Sequence, residues 1–279
     1  MISLGSRHAA DYAATIVATG IPLMTSQPTL AALLPALQRD GDGRYQAQFA
    51  GYRLHSVFQP LFYRSGGVFG HEALLRVQDG DGQPLRPDLL FAALDDGDAR
   101  QLDVLTLFMH VHNFAQARVE GCLSLNVQAA SLQQDGLLSL LQQLLPALGL
   151  AADSMVLEVL EYELEHSPLQ LAGSLRQFSQ AGFGLAIDDF GATASSHGRT
   201  RALCPDIIKF DRSMLLDQQL GDGGRLASEL QLAWEIGCRS VVCGVENADQ
   251  LAAMQALGLE LYQGFHLGRP ALLPVRELL

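Results

Sequence analysis

The chain has 279 residues, 48% of them hydrophobic, enough to bury a full core at the size usual for one α/β barrel. Its formal net charge of -12 argues against nucleic-acid or anionic-membrane binding, which needs basic surface, so a phosphate ligand would have to be held by local cations or metals. No apolar run reaches the roughly 20 residues of a membrane span, and residues 1–24 lack a signal-peptide layout, which makes cytoplasm the expected compartment.

Residues 1–50 read as an N-terminal extension, with helical spacing over 29–37 that Gly41-Asp42-Gly43 breaks. Residues 51–279 read as one barrel domain. Strands are predicted at 55–60, 68–76, 122–127, 155–160, 184–189, 206–210, 239–243 and 260–264. Helical patterns fill 88–118, 129–148, 163–181, 213–237 and 247–257. This alternation predicts an α/β fold, a modified TIM (β/α)8 barrel. An open Rossmann-like sheet would need G-x-G-x-x-G after its first strand, and none is present. Residues 61–67 are too few for a crossover helix, so the first strand should run antiparallel to the second.

Five predicted strands end in polar groups. The run Leu185-Ala186-Ile187 stops at Asp188-Asp189, two others stop at Glu72 and Glu158, one at Asn126 and one at Lys209. Adjacent carboxylates beside a buried strand are costly unless a cation or water meets them. Oxygen donors gathered at strand ends in a barrel read as a hard-cation site, and the same positions would handle a phosphate. Lys209 is the sole lysine beside 17 arginines, a compact ammonium kept where the sequence otherwise uses guanidinium. Asn126 has a second reading, as a cap for the helix beginning near Ala129. The four cysteines show no paired metal spacing and read as reduced thiols.

Taken together, Phe58-Gln59-Pro60, Glu72-Ala73-Leu74-Leu75-Arg76, Leu125-Asn126-Val127, Leu157-Glu158-Val159-Leu160-Glu161, Asp188-Asp189-Phe190-Gly191, Asp206-Ile207-Ile208-Lys209-Phe210-Asp211 and Gln263-Gly264-Phe265 resemble the EAL-domain proteins, from about His55 to Pro270. Active members of that family hydrolyse the bacterial second messenger cyclic-di-GMP to pGpG with Mg²⁺ or Mn²⁺. The resemblance implies Glu72, Asn126, Glu158 and Asp188 as metal ligands, with Asp189 on a second metal. It implies Arg76 and Lys209 facing phosphate, Lys209 also near the attacking water, and Gln59, Leu74, Asp211 and Gln263 on the nucleotide side. Glu161 would steady the loop after Asp189.

One departure bears on chemistry. Where active members carry Glu-Gly-Val-Glu at the end of the seventh strand, this chain has Cys243-Gly244-Val245-Glu246. The missing Glu is the one associated with water activation and the second metal, and a thiol, soft and mostly protonated at neutral pH, supplies neither. Glu246 lies three residues on, too far displaced to substitute. Residues 192–197 also lack the glycine and aromatic residue usual in the family loop that couples the metal site to dimerisation. Cys243 as a nucleophile would need a cationic or histidine neighbour, whereas an acidic mouth raises its pKa. The expectation is a degenerate, non-hydrolytic domain, a cyclic-di-GMP receptor or regulatory module acting through a protein partner, with a homodimer as its expected assembly. A metal-dependent phosphodiesterase and a scaffold without nucleotide are the alternatives.

Overall fold

The structure, a computed structural model, describes residues 33, 36–166, 168–191 and 197–276. Among the described residues eleven strands form one sheet: β1 (Leu37–Arg39), β2 (Tyr45–Phe49), β3 (Tyr52–Tyr63), β4 (Val68–Gln78), β5 (Pro84–Leu85), β6 (Cys122–Asn126), β7 (Met155–Leu160), β8 (Gly184–Phe190), β9 (Ile207–Phe210), β10 (Arg239–Val242) and β11 (Leu261–Tyr262). Eight of them close on themselves in the order β3-β11-β10-β9-β8-β7-β6-β4, with β4 returning to β3. Neighbours from β4 through β6 to β11 are parallel, whereas β3 is antiparallel to both β4 and β11. The short turn after β3, with Gly66 at φ +90°, makes that reversal, as the missing crossover helix predicts.

The helices are α1 (Pro87–Ala93), α2 (Asp96–Ala117), α3 (Ala129–Leu132), α4 (Leu137–Ala147), α5 (Glu161–His166), α6 (Pro168–Gln180), α7 (His197–Leu203), α8 (Arg212–Gln219), α9 (Gly224–Ile236) and α10 (Ala248–Ala256). The strands have helices outside and a packed interior, so their buried residues separate into two cores. Leu123, Leu125, Leu157, Leu185, Ile187, Ile208 and Val242 belong to the larger core, which also contains the helix residues. Leu61, Val156, Ala186, Ile207, Val241 and Leu261 form a smaller plug inside the barrel.

That plug fixes the site. Side chains two residues apart share a face of a strand. One step past Val156, Ala186, Ile207, Val241 and Leu261 therefore come Glu158, Asp188, Lys209, Cys243 and Gln263. On the reversed β3 the step runs backwards, from Leu61 to Gln59.

Two details differ from the sequence reading. Residues 37–49, expected within the N-terminal extension, form β1 and β2 and pair onto the upper part of β3. Tyr45-Gln46-Ala47-Gln48-Phe49 alternates with the period of a strand, and Leu37 and Ala47 are buried. The helical spacing over 29–37 lies almost wholly outside the described residues. The long helical stretches are also broken: Gly136 and Gly221, both at positive φ, interrupt 129–148 and 213–237, and α7 forms where no helix was expected.

Candidate functional site

Three carboxylates meet over the apolar plug. Glu72 from β4, Glu158 from β7 and Asp188 from β8 each offer an oxygen within 4.8 Å of the others. The Lys209 ammonium, 2% exposed, sits among them at 3.0 Å from Glu72, 2.5 Å from Glu158 and 3.2 Å from Asp188. Asn126 Nδ2 donates to Glu72 Oε1 at 3.0 Å and Gln263 Nε2 donates to Glu72 Oε2 at 2.7 Å. Asn126 thus serves the carboxylate cluster; α3 begins after Gln128 without a side-chain cap.

The electrostatics divide the acids. Burial raises the Glu72 pKa, but Lys209 and the two amide donors outweigh burial and hold it below the usual range. Burial dominates at Glu158 and pushes it up to about 8 despite Lys209. Burial also raises Asp188. Burial disfavours the Lys209 charge, yet Asp188, Glu158 and Glu72 together keep its pKa well above an ordinary lysine. One ammonium does not balance three carboxylates, and Glu158 Oε1 is buried without a hydrogen-bond partner. An oxygen-only donor set with an unpartnered buried carboxylate oxygen suits a hard divalent cation such as Mg²⁺ or Mn²⁺.

Cys243 follows β10 at the same mouth. Its thiol lies 3.6 Å from Gln263 Oε1, and burial, reinforced by the three acids, pushes its pKa well above that of a free thiol. Glu246 points elsewhere: its carboxylate pairs with Arg212 at 2.8 Å. Gly244, at φ +78°, lets the Arg212 stem pass where a Cβ would lie only 2.7 Å from it.

The remaining predicted residues are spread around this cluster. Gln59 stands opposite Glu72 on β3, but its Nε2 donates to the Gly268 carbonyl at 3.0 Å. Leu74 and Arg76 continue β4 beyond Glu72; Arg76 lies opposite His55 and donates to the Leu75 carbonyl at 2.9 Å. Asp189 stands at the exposed rim at φ +53°, and partial desolvation of its carboxylate, with its neighbours Asp188 and Asp211, raises its pKa to about 6. Asp211 caps α8 by accepting from Ser213 N–H at 2.9 Å. Glu161 accepts from Gly191 N–H at 2.9 Å, directly after the Asp188-Asp189 turn. Of the loop at 192–197, residues 192–196 lie outside the described residues. Two acids that the sequence reading did not single out, Asp103 and Glu163, accept from the Gln128 and Ala129 backbones at 3.0 and 2.8 Å. Their only sequence signal is an acid set among buried positions of α2 and a second acid at the start of α5.

Fold and mouth define a modified α/β barrel with a lysine-centred carboxylate cluster at the C-terminal ends of its parallel strands. The EAL domain profile matches residues 42–270, and the chain belongs to that family. Among curated relatives, the cyclic di-GMP phosphodiesterase PdeB of Shewanella oneidensis is 25% identical over 205 residues, covering 71% of this chain and 24% of its own. The cyclic di-GMP phosphodiesterase NbdA of Pseudomonas aeruginosa is 29% identical over 234 residues, covering 81% of this chain and 30% of its own. The chain thus spans 24% and 30% of these relatives. A calcium and cyclic-di-GMP complex of Klebsiella pneumoniae BlrP1 superposes with a TM-score of 0.70 at 28% identity, over 78% of this chain and 56% of that one. The FimX EAL domain of Pseudomonas aeruginosa, bound to c-di-GMP, gives 0.71 at 26% identity, over 78% of this chain and 90% of that one. No described helix is long and apolar enough to cross a membrane.

Proposed function

We propose that this chain is a degenerate EAL domain that binds cyclic-di-GMP at the barrel mouth without hydrolysing it. The observation that carries this reading is Cys243, a half-buried thiol kept protonated by its desolvation and by the acids around Lys209, at the position where hydrolytic members carry a glutamate. A neutral thiol cannot take a proton from water at neutral pH, and loss of a general base commonly lowers a rate by ~10²–10⁴.

Glu72, Asn126, Glu158 and Asp188 would hold Mg²⁺ or Mn²⁺, which when bound supplies positive charge for a phosphate. Asp189 lacks the second carboxylate at position 243 that a second metal would need. Arg76 and Lys209 face the phosphates, Gln59, Leu74, Asp211 and Gln263 lie on the nucleotide side, and Glu161 steadies the loop after Asp189. The resulting signal passes to a protein partner in the cytoplasm, the domain acting as a homodimer.

A slow phosphodiesterase is the second reading, favoured by the retained carboxylate cluster with its unpartnered Glu158 oxygen. Calorimetric titration with cyclic-di-GMP, with and without Mg²⁺ and followed by chromatography of the products, separates the readings. Binding without pGpG is expected. Steady pGpG formation would make the domain an enzyme, and absence of binding would make it a protein-interacting scaffold.

A further inference from the structure

Just past Asn126, three consecutive backbone N–H groups are each taken by an acceptor on a different element. Val127 N–H donates to the Glu158 carbonyl of β7 at 3.0 Å, Gln128 N–H to Asp103 Oδ2 of α2 at 3.0 Å, and Ala129 N–H to Glu163 Oε2 of α5 at 2.8 Å. Asp103 is 6% exposed, and a carboxylate that deep is tolerated only with hydrogen bonds to meet it. Helix α5 begins directly at the end of β7 and carries a second such acid, Glu161, whose carboxylate holds Gly191 N–H on the other side. One short helix therefore fastens the loops following both neighbouring strands, β6 with Asn126 and β8 with Asp188 and Asp189. A loop that presents Asn126 to Glu72 at 3.0 Å would otherwise have free backbone donors and the freedom to turn that amide away.

We propose that Asp103 and Glu163 are positioning residues, which clamp residues 127–129 so that Asn126 stays in the mouth for nucleotide binding. The second half of this inference rests on the nucleotide-binding reading above; the clamp itself does not.

The test compares wild type, Glu163→Gln and Glu163→Ala. Glutamine keeps a carbonyl oxygen for Ala129 N–H and alanine does not. Hydrogen exchange of residues 126–132 in the nucleotide-free protein should quicken in Glu163→Ala, remain at the wild-type rate in Glu163→Gln, and leave 207–210 unchanged in both. Calorimetry with cyclic-di-GMP should show the dissociation constant rising about tenfold in Glu163→Ala and staying within about twofold in Glu163→Gln. Asp103→Asn, which likewise keeps an acceptor, should behave as Glu163→Gln does. Unchanged exchange in Glu163→Ala, or equal loss in the glutamine and alanine variants, would overturn the clamp. Faster exchange with an unchanged dissociation constant would overturn its role in binding. A wild type that binds no nucleotide would overturn the proposed function, and exchange would then decide the clamp alone.

Discussion

Replacing Cys243 by glutamate adds a carboxylate beside Lys209 and the three acids that surround it. The other oxygen donors of the family pattern are already present, so Cys243→Glu should gain Mn²⁺-dependent hydrolysis of cyclic-di-GMP to pGpG. Recovery should be partial, because residues 192–197 still depart from the family loop. Rates for wild type and variant at saturating Mn²⁺ check this, and equal rates would show that Cys243 is not the disabling change. In the metal-free protein the variant should melt at a lower temperature, since it adds a like charge to a buried cluster. Lys209→Met removes the charge that Glu72, Glu158 and Asp188 share, leaving them without their common cation. Breaking a buried ion pair from one side costs about 3–5 kcal/mol. Urea unfolding should show a loss of that size, part of which Mn²⁺ restores by stabilising only the folded state.

Strands were more legible than helices in this sequence. Within parallel strands the buried runs are nearly continuous, so Ile207-Ile208-Lys209-Phe210 stands out, as does a polar residue two positions beyond Val156, Ala186, Ile207 and Leu261. The carboxylate cluster could thus be read almost whole. Strand β1 is only three residues long and leaves no periodicity, whereas β2 did carry a signal, its alternation and the two-residue Ala50-Gly51 turn that joins it to β3. The break before α4 has only Gly136, which interrupts an apolar spacing without altering it, whereas the break between α8 and α9 did carry a signal in Gly221-Asp222-Gly223-Gly224. The helix acids Asp103 and Glu163 act on backbone groups, which leave no pattern in the side-chain sequence. Gly264 supports a prediction at this scale. It follows β11, and a Cβ there would lie 2.1 Å from the Val245 carbonyl oxygen and 2.3 Å from the Val245 nitrogen. Both contacts are with backbone, so Gly264→Ala must push the ends of β10 and β11 apart and displace Gln263 from Glu72. A loss of about 1–3 kcal/mol, the usual cost of overpacking, should appear in urea unfolding together with weaker nucleotide binding.

At the scale of the molecule, buried acids outnumber buried cations among the described residues. Asp103 is raised by burial to about 7 and Glu158 to about 8, both above the ~4 of an unfolded carboxylate. The folded protein therefore keeps protons that the unfolded chain releases, and stability falls as pH rises from ~4 to about 8. Lys209, raised well above its unfolded value, loses its contribution only in strongly alkaline solution, and Glu72, held low, loses its own only in acid. Melting temperatures of the metal-free protein should decline from pH 5 to pH 8.5. Asp103→Asn should flatten the lower half of that decline, and a melting temperature that rises over this interval would refute the assignment.

The reversed first strand has a further consequence, for how the domain can be joined to other chains. In an all-parallel barrel the polypeptide arrives at the end opposite the ligand mouth. Here β3 descends from the mouth, so what precedes it arrives at the rim: Leu37 pairs with Ala47, Ala47 with Leu54, and Leu54 with Val77 near the top of β4. The doorway of the fold and its carboxylate-lined mouth share one side. A sequence spliced ahead of Leu37, by engineering or by recombination, is delivered within sight of the mouth and needs no path around the barrel to sense what occupies it.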